Sequence, residues 1–392
     1  MAEVFEAFGA EYLDAHGVSA PQAKVMSAVL NCRTPVLGGQ VLECDGCGHR
    51  EFAYHSCRDR HCPACQARAK EEWTRRRVAE LLPVPYAHLV FTLPHALNGL
   101  AAAHGLWVYG ALMRTVAETL GEFAANPRWL GAEPAFTCVL HTWTQDLRRH
   151  VHLHVLIACG GLDGAGEWVG PKRDGRFLFP VHALSSVFRA KFLDALDAAR
   201  DSSKIPRDPA AEAKGYAERR RRLLKHKWVV YAKTPLGGPA EVLGYLSRYT
   251  HRTAVSNERI LAIREGQVLL RVRADGKGGK KVVRIDGPDF IGRFLQHVLP
   301  PGLKRIRHYG LLSPARKRQR LAAARKALDA PAPSPVAMEA AAEFMQRVAK
   351  IDIDKCPCCG QGRLRAVAVL LPEQPATSRP WLAPPACRGP PT

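Results

Sequence analysis

His150-Val-His152-Leu-His154, continuing as Val155-Leu-Ile-Ala-Cys-Gly-Gly, alternates imidazole with branched apolar side chains at a period of two. That is the period of a half-buried strand, so the imidazoles project from one face while Val151, Leu153 and Val155 enter a core on the other. A lone histidine on an apolar face is ordinary core. Three on one face are not, and neutral imidazoles so arranged make a claw for a divalent cation. The stretch therefore assigns a metal to His152 and His154.

Strands surround it on both sides. Phe136 to Thr142 leads into the histidine strand, Ala87 to Leu93 reads as another, and Trp228 to Lys233 as a third. Leu100, Trp107, Leu112, Val116 and Leu120 recur at helical spacing over 99–125, a second helix is expected over about 183–199, and Arg176-Phe-Leu-Phe is expected to return as strand. Ile260-Leu-Ala-Ile, Val268-Leu-Leu-Arg-Val and Lys281-Val-Val-Arg-Ile read as a hairpin extension with glycine turns. Strands interrupted by two long helices give an α+β fold, an antiparallel sheet with helices packed on one face, over residues 83–312.

Residues 1–82 form a separate module. Val4, Phe5, Phe8, Tyr12 and Leu13, then Val25, Met26, Val29 and Leu30, predict two short packing helices. Cys44-Asp-Gly-Cys47 and Cys62-Pro-Ala-Cys65 are two Cys-x-x-Cys knuckles separated by fourteen residues, which fits one tetrahedral zinc with Cys44, Cys47, Cys62 and Cys65 as ligands. Cys57, His55 and His61 are left as substitutes or as ligands of a second ion. A closed four-thiolate site has no open position, so its task is folding. Arg58 and Arg60 beside it are candidate phosphate contacts, the alternative being a solvated basic face.

Residues 313–392 read as a basic helix from Pro314, a Pro/Ala linker, a Cys356-Pro-Cys-Cys359 half-knuckle and a proline-rich, disordered end. The 392 residues carry 47% hydrophobic content, enough for a core, and a net charge of +21. A polyanion is the natural partner; an anionic membrane ranks second for want of an anchor helix or lipidation motif, and no run is long enough to span one. With no secretory signal, the expected setting is cytoplasmic, at the bacterial nucleoid, and twelve cysteines read as ligands or free thiols.

In Tyr245-Leu-Ser-Arg248-Tyr249-Thr-His-Arg252, a helix puts two phenols one turn apart on one face. A tyrosine hydroxyl can attack a phosphodiester in line when a divalent ion polarises the phosphate and arginines neutralise the charge that builds up. Without the histidine strand, such a pair is amphipathic packing.

These motifs, with Ser56-Cys-Arg-Asp-Arg-His, His88-Leu-Val-Phe-Thr-Leu-Pro-His95, His141-Thr-Trp, Phe290-Ile-Gly-Arg-Phe-Leu-Gln-His and Ile306-Arg-His-Tyr-Gly310, resemble the rolling-circle transposases of the insertion sequence 91 family, within the HUH endonuclease superfamily. The resemblance implies an HUH-type sheet with a magnesium or manganese ion on His152 and His154, Tyr245 and Tyr249 as paired nucleophiles, and Arg248 and Arg252 against DNA. The third metal ligand stays open among His141, His150 and Gln145. Both tyrosines place the chain with the two-tyrosine subgroup; Val151 stands where many relatives show proline, and its side chain points away from the ion. The implied substrate is single-stranded DNA at mobile-element ends and target sites. The alternatives are a plasmid rolling-circle replication initiator or relaxase, and a zinc-containing DNA-binding regulator without catalysis.

Overall fold

The computed structural model describes residues 1–78, 80–172, 178–205, 215–236, 241, 254–274, 279–333 and 339–373. Tyr245, Tyr249, Arg248, Arg252 and the proline-rich end beyond 373 lie outside the described residues.

The histidine stretch is β5 (Arg149–Leu162), paired antiparallel with β4 (Glu133–Trp143) on one side and β3 (Tyr86–Thr92) on the other. β11 (Ile306–Gly310) pairs with β4, β7 (Val230–Leu236) with β3, and β6 (Trp168–Val169) with the far end of β5, so the order is β11-β4-β5-β3-β7 with β6 off the path. The period-two pattern decides the faces. Val151, Leu153, Val155 and Ile157 are at most 1% exposed and join Leu89, Phe91 and Leu140 in the main core.

Two helices close that face, as expected: α5 (Gly105–Ala125) and α6 (Val181–Asp201). On α6, Leu184, Phe188, Phe192 and Leu196 recur at four-residue steps and are buried; on α5, Val108, Leu112, Val116 and Leu120 do the same. Phe91 meets Phe188 edge to face with centroids 5.2 Å apart. Truncating either buried phenylalanine to alanine would cost about 3–5 kcal/mol. The helix expected over 99–125 is divided into α4 (Asn98–Ala103) and α5, because His104 leaves helical geometry at φ −127, ψ 42. Of the strand expected at Arg176–Phe179, Arg176 and Phe177 lie outside the described residues, while Leu178 and Phe179 are buried without strand pairing and run directly into Pro180, which caps α6.

The hydrophobic clusters run across the boundaries expected near 82 and 312. α1 (Ala2–Ala15) and α2 (Ala20–Leu30) share a core with β8 (Ile260–Arg264), β9 (Gln267–Arg273), β10 (Lys280–Asp286) and the helix Gly287–Leu295. Phe5 meets Phe294 edge to face at 5.7 Å, and a Cβ on Gly287 would sit 2.4 Å from the Phe8 ring, so that crossing requires glycine. At the opposite end of the main sheet, the basic helix Lys317–Ala327 and Trp73 of α3 (Gln66–Val78) pack over Leu82, Tyr86, Leu156 and Ala158. They cover part of the histidine-bearing face. Several cations of that helix serve the fold: Lys317 pairs with Glu80, Arg320 with Glu133, and Arg325 donates to the Leu81 carbonyl.

The third sheet joins the chain ends. β12 (Leu364–Leu370) pairs with β1 (Gly39–Cys44), which pairs with β2 (Arg50–Tyr54). Among the described residues, no helix is long and apolar enough to cross a membrane.

Candidate active site and metal centres

On the sheet face turned from the main core, cross-strand register decides which residues meet. His141 is directly opposite His152, and Val139 and Val90 flank His154 on either side. His141, His152 and His154 each present a ring nitrogen, all within 4.8 Å of one another. Octahedral ligands at about 2.1 Å lie about 3.0–4.2 Å apart, so nitrogens near the 4.8 Å limit would have to draw inward to share one ion. Of the third-ligand candidates, His141 is therefore the one brought to the pair. His150 instead bonds His95 at 3.0 Å; its ring stands 4.9 Å from that of His152 but is not one of the three whose nitrogens converge.

The ring orientations are held from outside. Nδ1 of His152 lies 2.9 Å from the His150 carbonyl oxygen and donates to it, which leaves Nε2 as the lone-pair nitrogen. Nδ1 of His154 bonds Nε2 of His88 at 2.9 Å. Burial lowers the ring pKa of His152 to about 4, of His154 to about 2 and of His88 to about 4, with neighbouring imidazoles adding to the effect at His154. All three are neutral at pH 7, the state in which imidazole ligates. His141 stacks on Trp143 with centroids 4.6 Å apart, and Trp143 meets the buried His297 edge on. His297 is fixed by the Thr142 hydroxyl at 3.0 Å and donates from Nε2 to the Leu147 carbonyl at 2.9 Å.

Beside His150 opens a groove of about 560 Å³. Its walls include His95, Arg219, Arg222 and Lys227, the arginines coming from the helix Gly215–Lys225. That basic helix stands across the groove from His150 of the histidine strand.

The cysteines correct the expected zinc assignment. Cys62 and Cys65 gather with Cys57 and Cys32, whereas Cys44 and Cys47 gather with Cys356 and Cys359. The physical reason is that Cys44 and Cys47 ride on the turn of the β1–β2 hairpin, where β12 brings the second knuckle alongside β1, while Cys57 to Cys65 fold back on the end of α2. In the first group, Cys65 Sγ lies 3.5 Å from Cys32 Sγ and 3.6 Å from Cys57 Sγ, close to the roughly 3.8 Å edge of a tetrahedron with 2.3 Å zinc–sulfur bonds. Cys32 went unnoticed because it belongs to no Cys-x-x-Cys pair. His61 is not a ligand in either group: its Nδ1 bonds Asp59 and its Nε2 accepts the Leu299 N–H.

Arg60, expected at DNA, has a role within the fold. Its guanidinium donates to the carbonyls of Leu303, Leu299 and Pro300, so it fastens the cysteine loop to the main domain. Arg58 is exposed, with φ +54, and remains on the surface. His88 was missed as a functional residue; its signal was its position two before Val90 on the strand facing β5.

Residues 4–93 match the transposase zinc-binding domain, and residues 135–320 match the family described as putative transposase. The putative transposase y4qJ of Sinorhizobium fredii is 42% identical over 379 residues, covering 94% of this chain and 95% of the relative. The transposase for insertion sequence element IS801 of Pseudomonas savastanoi pv. phaseolicola is 25% identical over 366 residues, covering 92% of this chain and 87% of the relative. No solved structure matches the chain. With a zinc-binding module, a histidine cluster on an antiparallel sheet and full-length likeness to a transposase, the chain belongs to the insertion sequence 91 family of transposases, enzymes that act on DNA.

Proposed function

We propose that this transposase nicks and rejoins single-stranded DNA through a 5′-phosphotyrosine link and so drives rolling-circle transposition. The observation that carries the reading is the meeting of three imidazoles, His141, His152 and His154, on one sheet face beside a basic groove. A magnesium or manganese ion held by these rings would polarise the scissile phosphate and offset its developing charge. Manganese accepts nitrogen ligands more readily than magnesium, which favours it as the ion for the assay.

The chain's own residues do the rest. The phenol of Tyr245 or Tyr249 attacks phosphorus as the bond to the 3′-oxygen breaks. The phenolic proton is lost and the departing 3′-oxygen gains one, leaving a tyrosine 5′-phosphodiester and a free 3′-hydroxyl. Attack by a 3′-hydroxyl on that diester reverses the exchange, and the second tyrosine serves the other end or the target. Arg219, Arg222 and Lys227 line a path for the strand's phosphates, with Arg248 and Arg252 beside the nucleophiles.

Denaturing gels of the protein with single-stranded oligonucleotides from the element's ends test this. Covalent adducts should form with manganese and vanish with chelator. Tyr245→Phe together with Tyr249→Phe should abolish them while leaving binding nearly intact. Adducts persisting in the double variant would reject the nucleophiles; none from the unmutated protein would favour a DNA-binding regulator.

A further inference from the structure

We infer that a second zinc ion, held by Cys44, Cys47, Cys356 and Cys359, clasps the C-terminal segment onto the N-terminal module. The matched zinc-binding domain ends at residue 93, so half of this ligand set lies outside it.

The two cysteine pairs sit on equivalent turns. Both read Cys-x-x-Cys-Gly, and the glycines, Gly48 and Gly360, have φ +70 and +66. The N–H of Gly48 donates to the Cys44 carbonyl and that of Gly360 to the Cys356 carbonyl, each at 3.0 Å. The Cys44 amide donates to the His49 carbonyl and the Cys356 amide to the Gly362 carbonyl, each at 2.9 Å. The Gly46 N–H points at Cys44 Sγ and the Gly362 N–H at Cys359 Sγ, both at 3.3 Å. Backbone donors aimed at sulfur favour the thiolate, the form that ligates. Two such turns facing each other form the double knuckle of a zinc ribbon.

Their spacing fits the ion. Cys44 Sγ to Cys359 Sγ and Cys47 Sγ to Cys356 Sγ are both 3.8 Å, against the roughly 3.8 Å edge of a tetrahedral four-thiolate zinc. A disulfide would need about 2.05 Å. The approach leaves no slack, since a Cβ on Gly362 would stand 2.4 Å from Cys44 Sγ. The apolar support is small: Cys44, Cys356 and Leu364 form a cluster of their own with Leu42 against it. A unit with so little core depends on its metal. Beyond that cluster the segment is tied by ion pairs such as Arg347 to Glu71 on α3 at 2.9 Å and by the buried Phe344.

Metal analysis of the full-length protein should find two zinc ions per chain. Cys356→Ser with Cys359→Ser should leave one, while Cys358→Ser, whose exposed thiol lies outside the cluster, should leave two. Should the double variant aggregate, alkylation of the unmutated zinc-loaded protein followed by mass spectrometry decides. Cys358 should be modified, with Cys356 and Cys359 protected until chelator is added. One zinc in the unmutated protein, two in the double variant, or modification of Cys359 at the rate of Cys358 would overturn the inference.

Discussion

His88→Leu removes one hydrogen bond from the histidine cluster while keeping a side chain of similar bulk. The residue is 3% exposed and its Nε2 meets Nδ1 of His154 at 2.9 Å, so the substitution removes that partner from a half-buried imidazole proposed to hold the ion. A bond of this kind is worth about 1–3 kcal/mol when its buried partner is stranded. Loss of the group that orients a metal-ligating histidine typically costs 10–100-fold in metal affinity, about 1.4–2.7 kcal/mol, so the two routes agree. The assay is the yield of protein–DNA adduct across a manganese titration. The midpoint should move about 10–100-fold to higher manganese, and the plateau should return toward that of the unmutated enzyme. A merely structural role would lower the plateau and leave the midpoint alone. An unchanged midpoint with a stably folded variant would refute the argument that His88 sets the orientation of His154.

Arg58 and Arg60 should separate in their effects. Arg60→Ala strips three carbonyls of a charged donor and should cost about 1.5–3 kcal/mol of stability in urea unfolding, with the salt dependence of DNA binding unmoved. Arg58→Ala should leave stability alone and lower the slope of log affinity against log salt by about 0.7 if it holds one phosphate. Gly362→Ala should lose one zinc, because its Cβ would stand 2.4 Å from Cys44 Sγ, whereas Gly48→Ala meets nothing within 4 Å, carries only about 1–2 kcal/mol of backbone strain at φ +70, and should weaken the site less. The fold should also weaken in acid. Burial holds His297 at about 3 against 6.5 for a free ring, so below pH 6.5 the unfolded chain takes up a proton that the native chain refuses. Stability from this site is complete above pH 6.5 and falls by about 1.4 kcal/mol per pH unit toward pH 3. Urea unfolding at pH 7 and pH 5 should show His297→Gln with the shallower loss; parallel losses would count against it.

What the sequence disclosed was whatever has a short period. Histidines at alternate positions of β5 announced both the strand and its polar face, and the four-residue steps of Leu184, Phe188, Phe192 and Leu196 announced the helix that covers the other. Cys-x-x-Cys spacing announced that metals were involved but not which knuckles pair, since partnership between Cys47 and Cys356 is made by strand pairing 309 residues apart. His141 as companion of the histidine pair was one of several choices until the β4–β5 register put it opposite His152. Nor does any local pattern tell that α1 and α2 pack against the helix Gly287–Leu295, because an amphipathic face does not name its partner. Tyr245 and Tyr249 rest on spacing and resemblance.

The zinc module also bears on the histidine cluster through bonded contacts. Cys62 is preceded by His61, whose ring accepts the Leu299 N–H, and by Arg60, which holds the carbonyls of Leu299, Pro300 and Leu303. Two residues before Leu299, His297 bonds the Thr142 hydroxyl and stands against Trp143, on which His141 stacks. His141 is therefore buttressed from behind by a loop whose position depends on the cysteine loop. A ring packed this way is held near the position from which it could ligate. Arg60 follows the same logic: a guanidinium bonded to three carbonyls keeps the module in register with the loop behind His141.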